Sequence, residues 1–248
     1  MIKRLALIPA RAGSQRVRHK NVRPLQGHPL IAYTIAAAQA SQCFDRILVS
    51  TDAEDIQHIA QHYGADAPFL RPTELAATTS PDIDWVLHAL ANLNEPVEAY
   101  SILRPTSPFR QADTIRRAWE QFQEQPEVDS LRAVELCRQH PGKMWIVEGP
   151  HMRPLLDQSH LEVPWHSSQY QALPKVYVQN SSLEISWARV AWETKSIAGR
   201  LLMPFYTIGS EGFTIDYETD WFLAEQLLTT GQAQLPSIAY APFMAAAA

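Results

Sequence analysis

The thirteen residues Pro9-Ala-Arg-Ala-Gly-Ser-Gln-Arg-Val-Arg-His-Lys-Asn21 gather Arg11, Arg16, Arg18 and Lys20 around Gly13-Ser14, with no acid among them. That chemistry suits a polyphosphate. Gly13 lets the backbone approach closely and present N–H groups, Ser14 adds a hydroxyl donor, and the cations oppose phosphate charge. One such pair contributes about 4 kcal/mol at 4 Å with an effective dielectric near 20. The spacing is neither G-x-x-x-x-G-K nor G-x-G-x-x-G, so kinase and dinucleotide-binding readings lose support.

Other residue groups weigh less. Asp82-Ile83-Asp84 is a formal D-x-D, yet it follows Pro81 and opens a helical pattern, where acids complement the helix dipole. His58 and His62 share a helix face without the Glu that H-E-x-x-H requires, so they are expected in solvent. Asp52 either touches a ligand or caps its helix. Trp85, Trp119, Trp187 and Trp192 lie at core-like spacing among apolar residues. No Ser-His or Cys-His pairing is evident, and Cys43 and Cys137 form no C-x-x-C, so neither a structural zinc site nor a disulfide framework is supported.

The basic loop stands out against the whole chain. Its 248 residues carry 26 acids and 21 bases, a net charge of −5, which argues against generic binding to nucleic acid or membrane surfaces. Asp45 is the first acid, so Lys3, Arg4, Arg11, Arg16, Arg18, Lys20 and Arg23 are unopposed and the first 44 residues carry +7. An anionic ligand near the N-terminus is implied.

At roughly 150 residues per domain, one large domain or one domain plus a small appendage is expected, and with 46% hydrophobic residues there is ample material for a core. No apolar run reaches the roughly 18 residues of a membrane span. The apolar stretch after the first Lys-Arg is too short for a signal peptide, so a reducing cytoplasm is the expected compartment.

Elements that position the loop follow from periodicity. Leu5-Ala6-Leu7-Ile8, closed by Pro9, reads as a strand buried on both faces. Leu30 to Ala40 reads as a helix after Pro29, Ile47-Leu48-Val49 as a strand, and Ser50-Thr51-Asp52 as the cap of a helix through Tyr63. A helix over Ile83 to Leu90, a strand over Tyr100 to Leu103 and a helix over Ile115 to Phe122 continue the alternation, which implies an α/β layered sheet. From Ser130 to Glu135 another strand is expected, then Pro141, Pro150, Pro154, Pro164 and Pro174 break the chain into an inserted subdomain. Short strands at Val176 to Val178, Leu183 to Ile185 and Met203 to Ile208, a helix over Thr219 to Leu228, and a frayed Ala245 to Ala248 complete the reading. Ligands of such sheets bind at the carboxyl ends of the strands, here after Pro9, Ser50 and Leu103.

With the elements in place, the loop carries a resemblance. Ile8 to Ser14 with Lys20-Asn21, then Val49 to Asp52, Leu70-Arg71-Pro72-Thr73-Glu74-Leu75, and Arg104-Pro105-Thr106-Ser107-Pro108-Phe109-Arg110 resemble the blocks of cytidylyltransferases that activate acidic sugars, the acylneuraminate (CMP-sialic acid synthetase) family. The likeness covers most of residues 1 to 125. It thins to His140-Pro141-Gly142-Lys143, Leu173-Pro174 with Asn180, and Phe213 to Trp221.

That resemblance implies a three-layer αβα, Rossmann-like fold of the nucleotide-diphospho-sugar transferase type, a mainly parallel sheet in a single domain over 1–248, with 130–175 inserted for dimerisation and the sugar site. It implies transfer of CMP from CTP to the anomeric hydroxyl of a 2-keto-3-deoxy sugar acid. Ala10, Arg11, Gly13, Ser14, Lys20, Asn21, Arg71 and Thr106 would bind nucleotide, Arg104, Lys143 and Asn180 would bind sugar, and Arg11, Lys20 and Asp216 would act in catalysis. Asp216 would hold Mg2+ together with the triphosphate and water, or with another compensating carboxylate, because Thr214 stands where the family's strand carries the first aspartate of a D-x-D. A homodimer with shared active sites is implied as well. Three departures concern the sugar: Arg104 in place of glutamine, Tyr170 in place of an arginine, and Asn180-Ser181-Ser182-Leu183-Glu184 in place of Asn-Gly-Ala-x-Tyr. Arg104, whose planar fork matches a carboxylate, is expected to recognise the sugar acid. Rival readings are a synthetase for the eight-carbon acid Kdo and a nucleotide-binding relative that has lost catalysis.

Overall fold

The computed structural model describes residues 1–244; Ala245 to Ala248, expected as a frayed tail, lie outside the described residues. The first half contains β1 (Ile2–Pro9), β2 (Pro24–Leu25), β3 (His28–Pro29), α1 (Leu30–Ser41), β4 (Arg46–Ser50), α2 (Glu54–His62), α3 (Asp82–Ala91), β5 (Val97–Ile102) and α4 (Ala112–Gln123). The second contains β6 (Ser130–Leu136), β7 (Trp145–Glu148), β8 (His151–Pro154), β9 (Tyr177–Trp187), α5 (Ala188–Thr194), β10 (Leu202–Tyr206) and α6 (Glu218–Thr229).

Strand β1 sends alternate side chains to opposite faces, as an extended chain must. Ala6 and Ile8 pack with Ile31 and Ile35 of α1 and with Ile115 and Trp119 of α4. Leu5 and Leu7 pack with Trp85, Val86 and Ala89 of α3 and Ala191 of α5. Both faces are therefore covered by helices, and the continuous apolar run is explained. Each fully buried Leu or Ile contributes about 1.5 to 3 kcal/mol of transfer free energy. The sheet order is β10-β6-β9-β5-β1-β4. β1 runs parallel to both β4 and β5, and β9 runs antiparallel to β5. The α/β class, the layering and the strand–helix alternation expected of residues 1 to 125 hold.

The chain divides into two compact units, one of residues 1–133 with 180–248 and one of 134–179. The second overlaps the expected insertion at 130–175. It contains the β7–β8 hairpin, which the sequence pattern did not reveal, and short 3-10 turns at Pro141–Lys143, Trp165–Ser167 and Tyr170–Ala172.

Four details differ from expectation. The two short strands expected at 176–178 and 183–185 are one strand, β9, whose middle residues Asn180, Ser181 and Ser182 are polar and break the apolar signal. The α2 cap is Ala53, with no side-chain bond, because Thr51, Asp52 and Ser50 are turned to other partners. Thr214 to Asp216 is not a strand; the segment is tied by the Ile215 amide to the Thr106 carbonyl at 2.8 Å. Trp192 is 43% exposed beneath Lys195, so it is not a core residue, while Trp85 and Trp119 are buried.

Candidate active site

Where β1, β4 and β5 end, their loops surround a cleft of about 540 Å³. Arg11, Ser14, Arg16, Lys20 and Asn21 come from the first loop, Arg71 from the chain beyond β4, Arg104 and Thr106 from the loop after β5, and Ser181 and Asp216 from further on. Five cations face two carboxylates, Asp82 and Asp216, a net of +3. Parallel pairing of three strands puts their carboxyl ends side by side, which is why positions so distant in sequence meet.

Each part of the first loop is tethered. The Ala10 amide bonds the Ser50 carbonyl at 3.0 Å, the Ala12 amide bonds Asp52 Oδ1 at 2.8 Å, and Asn21 Nδ2 bonds the Arg11 carbonyl at 3.0 Å. Asp52 thus neither caps α2 nor lines the cleft; it holds the loop. Val17 is fully buried in a third cluster with Phe109, Ile215 and Trp221, and anchors the loop from below. Arg11 Nη1 reaches the Ala76 carbonyl at 3.2 Å. A Cβ on Gly13 would meet nothing within 4 Å, so no protein atom demands glycine there. Ala10 is buried, its amide on the Ser50 carbonyl, and does not line the cleft, and Arg18 stands exposed away from it.

Lys20 is largely enclosed, its side chain 13% exposed. Its Nζ donates to the Ile215 carbonyl at 2.7 Å and to Asp216 Oδ1 at 3.4 Å. Burial lowers its proton affinity more than Asp216 restores it, so its pKa lies below the ordinary lysine value. Arg16 approaches the same carboxylate at 3.9 Å and lies over the Tyr217 ring. Asp220 Oδ2 accepts from the Asp216 and Tyr217 amides at 2.8 and 2.7 Å, which fixes the backbone that carries Asp216.

Arg71 is buried, donates to Ser50 Oγ at 3.0 Å and the Ser50 carbonyl at 2.7 Å, and stacks on Trp85 with 5.0 Å to the ring centroid. Burial pushes its pKa down to about 10 against the pull of Asp52 and Asp82. Arg104 is not a free fork. Its Nη2 donates to Asp82 Oδ2 at 2.6 Å and to Glu184 Oε1 at 2.9 Å, and Nη1 reaches Asp82 Oδ1 at 3.4 Å. Burial alone would raise the pKa of Asp82; Arg104 outweighs it and holds the carboxyl below its usual value. Asp82 does more at the start of α3 than complement the helix dipole.

Arg110, fully buried, binds the carbonyls of Ser182 and Arg104 and Thr34 Oγ1, and so fastens the Arg104–Thr106 loop to β9 and α1. With only neutral acceptors around it, burial lowers its pKa to about 9. Asn180 is outside the cleft lining, with its Nδ2 on Thr207 Oγ1 at 2.9 Å. Lys143 belongs to the 134–179 unit, where Nζ binds the Ser168 and His166 carbonyls at 2.7 and 3.3 Å, and Tyr170 of that unit binds the Cys137 and Arg138 carbonyls. His58 and His62 are exposed, as expected. Asp52, Asp82, Trp85, Arg132 and Glu184 were not assigned site roles from sequence. The hints in the sequence were Asp52, weighed between ligand contact and helix cap, and Asp82, the first acid of a D-x-D placed after a proline at a helix start.

Residues 5–179 match the family model described as cytidylyltransferase. This chain belongs to the cytidylyltransferase family. A CMP-N,N'-diacetyllegionaminic acid synthase of Legionella pneumophila is 37% identical over 240 residues, covering 93% of this chain and 98% of that protein. An N-acylneuraminate cytidylyltransferase of Escherichia coli is 34% identical over 89% of this chain, which spans 51% of that relative. Among solved structures, a CMP-2-keto-3-deoxy-manno-octonic acid synthetase complexed with CTP superposes with a TM-score of 0.67 at 12% identity, over 92% of this chain and 99% of the other. That likeness speaks for the shared fold. Among the described residues, no helix is long and apolar enough to cross a membrane.

Proposed function

We propose that this cytidylyltransferase transfers CMP from CTP to the anomeric hydroxyl of a nine-carbon 2-keto-3-deoxy sugar acid, a sialic or related nonulosonic acid, and releases pyrophosphate. The observation that carries the reading is the cleft with five cations and two carboxylates at the ends of three parallel strands. The named activities of the two curated relatives agree with it.

In the reaction, the hydroxyl oxygen forms a bond to the α-phosphorus, the bond from that phosphorus to the β-bridging oxygen breaks, and the hydroxyl proton passes to solvent. An in-line displacement of this kind needs positioning and charge stabilisation more than a covalent nucleophile. Arg11 and Lys20 stabilise the phosphates and the departing pyrophosphate, Ser14 and Asn21 hydrogen-bond them, Gly13 leaves room for their approach, and Arg71 and Thr106 border the nucleoside side. Arg104, which lines the cleft, is assigned to the sugar.

Magnesium fits this site as an ion carried with the triphosphate. Among the described residues no group of three or more His, Cys, Asp or Glu side chains could form a cage. In the free protein Asp82 is held by Arg104 and Trp85, and Thr214 Oγ1 is turned to the Gly212 carbonyl at 3.4 Å, so Asp216 is the carboxylate assigned to the ion. One carboxylate plus phosphate oxygens and water is an ordinary magnesium donor set. When bound, the ion would neutralise charge on the leaving pyrophosphate.

A homodimer built through residues 134–179 completes the reading, supported by exposed apolar Val147, Met152 and Val163 in that unit. A cytoplasmic location accords with the unpaired Cys43 and Cys137. The direct test is pyrophosphate release from CTP with magnesium across eight- and nine-carbon 2-keto-3-deoxy acids. Turnover confined to a nine-carbon acid supports the proposal. Preference for the eight-carbon acid points to the Kdo-type activity, and CTP binding without release for any acid points to a non-catalytic relative.

A further inference from the structure

Beside the anion loop, an alternating row of charge runs from the cleft inward: Asp82, Arg104, Glu184, Arg132. Arg104 offers its terminal edge to Asp82, with Nη2 to Oδ2 at 2.6 Å and Nη1 to Oδ1 at 3.4 Å. It offers a second Nη2 proton to Glu184 Oε1 at 2.9 Å, while Arg132 Nη1 binds the other oxygen of Glu184.

The two carboxylates are held very differently. Glu184 is 3% exposed and enclosed between two guanidinium groups. The Asp82 side chain is 37% exposed, is held by one guanidinium, and has support independent of it: Trp85 Nε1 donates to Oδ1 at 2.8 Å, and Asp82 is the first residue of α3, where the helix dipole favours an anion. Moving Asp82 off Arg104 leaves the carboxylate stabilised and leaves Arg104 anchored by Glu184. Arg104 and Arg132 then face Glu184 alone, one positive charge in excess at a side chain a quarter exposed to the cleft.

We propose that Asp82 is an internal stand-in for the substrate's acid group. It closes the terminal edge of Arg104 in the free protein and is exchanged for the carboxylate of the incoming sugar acid, so Asp82 sets the affinity for that substrate. The inference rests on the sugar-acid reading above and deepens it by naming the residue against which the acid competes. Exchange of one planar carboxylate for another conserves both the bidentate contact and the local charge. An uncharged sugar offers no such exchange and leaves the Asp82–Arg104 pair closed. The free energy of parting Asp82 from Arg104 is subtracted from the substrate's binding, so removing that competitor tightens it.

Kinetics of Asp82→Asn test this, with N,N'-diacetyllegionaminic acid or N-acetylneuraminic acid, whichever turns over, as the varied substrate, its carboxamide as a probe inhibitor, and the KM for CTP as the internal reference. For a partly exposed charged contact, the KM for the sugar acid is expected to fall about five- to tenfold. The KM for CTP moves less than twofold, inhibition by the carboxamide is unchanged, and the gain disappears when Arg104→Gln is added. Asp82→Ser serves the same purpose should the amide variant fold poorly. An unchanged or raised sugar KM overturns the inference, because Asp82 then only holds Arg104 in place. An equal fall in both KM values also overturns it, since a general change of field would be responsible. Absence of turnover by the wild-type protein with every acid overturns the sugar-acid reading itself, whereas turnover with an unmoved KM refutes only the role of Asp82.

Discussion

Replacing Lys20 tests the catalytic assignment most directly. The ammonium is held by the Ile215 carbonyl at 2.7 Å and is shielded from water, with only 13% of the side chain exposed. A cation about 4 Å from a phosphate charge at an effective dielectric near 20 contributes about 4 kcal/mol, which at about 1.4 kcal/mol per decade approaches a factor of 10³. Loss of one preorganised stabilising group ordinarily costs 10² to 10³ in turnover. Lys20→Met, which keeps the aliphatic stem, is therefore expected to lower kcat for pyrophosphate release by about 10² to 10³. Its KM for CTP should rise far less, because Arg11, Arg16 and Arg71 remain. Lys20→Arg should recover only part of the loss, since a planar fork cannot take the compact position beneath the Ile215 carbonyl. Stability should change little: the partner carboxylate of Asp216 is 43% exposed, and such pairs contribute at most about 1 kcal/mol. Steady-state kinetics with circular dichroism and thermal melts as controls provide the assay. A folded Lys20→Met protein with kcat within threefold of wild type would remove Lys20 from the mechanism.

The loop tether gives a paired prediction: Asp52→Ala frees the Ala12 amide and should weaken CTP binding about three- to tenfold, whereas Asp52→Asn keeps an acceptor oxygen and should remain within twofold of wild type; calorimetry with CTP checks both. Asp216→Asn should abolish magnesium-dependent turnover, read as loss of rate across the magnesium titration, and an unaltered titration curve would count against a metal role for Asp216. Gly199 has φ +73°, and a Cβ there would collide with Asp129, whose Oδ2 accepts from the Arg200 and Leu201 amides. Gly199→Ala should therefore lower stability by about 1 to 3 kcal/mol in urea unfolding, with kinetic constants unchanged because the site lies outside the cleft.

Much of the fold was legible because its signals are local. Leu5 to Ile8, short and closed by Pro9, reads as a strand with both faces covered, and the 3.6-residue spacing of Ile115, Ala118, Trp119 and Phe122 marks the buried face of α4. Expectations failed where a side chain had a better partner than the local one. Thr51 and Asp52 have the right chemistry for a helix cap, yet they bind the Ala53 and Ala12 amides. β9 was read as two strands because Asn180, Ser181 and Ser182 look like a loop, although Ser181 borders the cleft and Ser182 is buried.

By itself the sequence determined the cationic loop after β1, proposed above to bind the triphosphate. Arg11, Ser14, Arg16, Lys20 and Asn21 lie within eleven residues after a strand closed by proline, and contiguity alone keeps them together. Only the tertiary structure decided which of the seven early cations reach the cleft: Arg11, Arg16 and Lys20 line it, while Arg23 pairs with Glu218 at 2.6 Å and stacks on Trp221. It alone revealed that Arg104 is already engaged, by carboxylates 22 and 80 residues away. The physical reason is that parallel strands can be joined only through long crossovers, so the ends that form the site are adjacent in space and remote in sequence. Which charges neutralise one another there depends on strand register and helix placement, and these are settled by packing over the whole sheet.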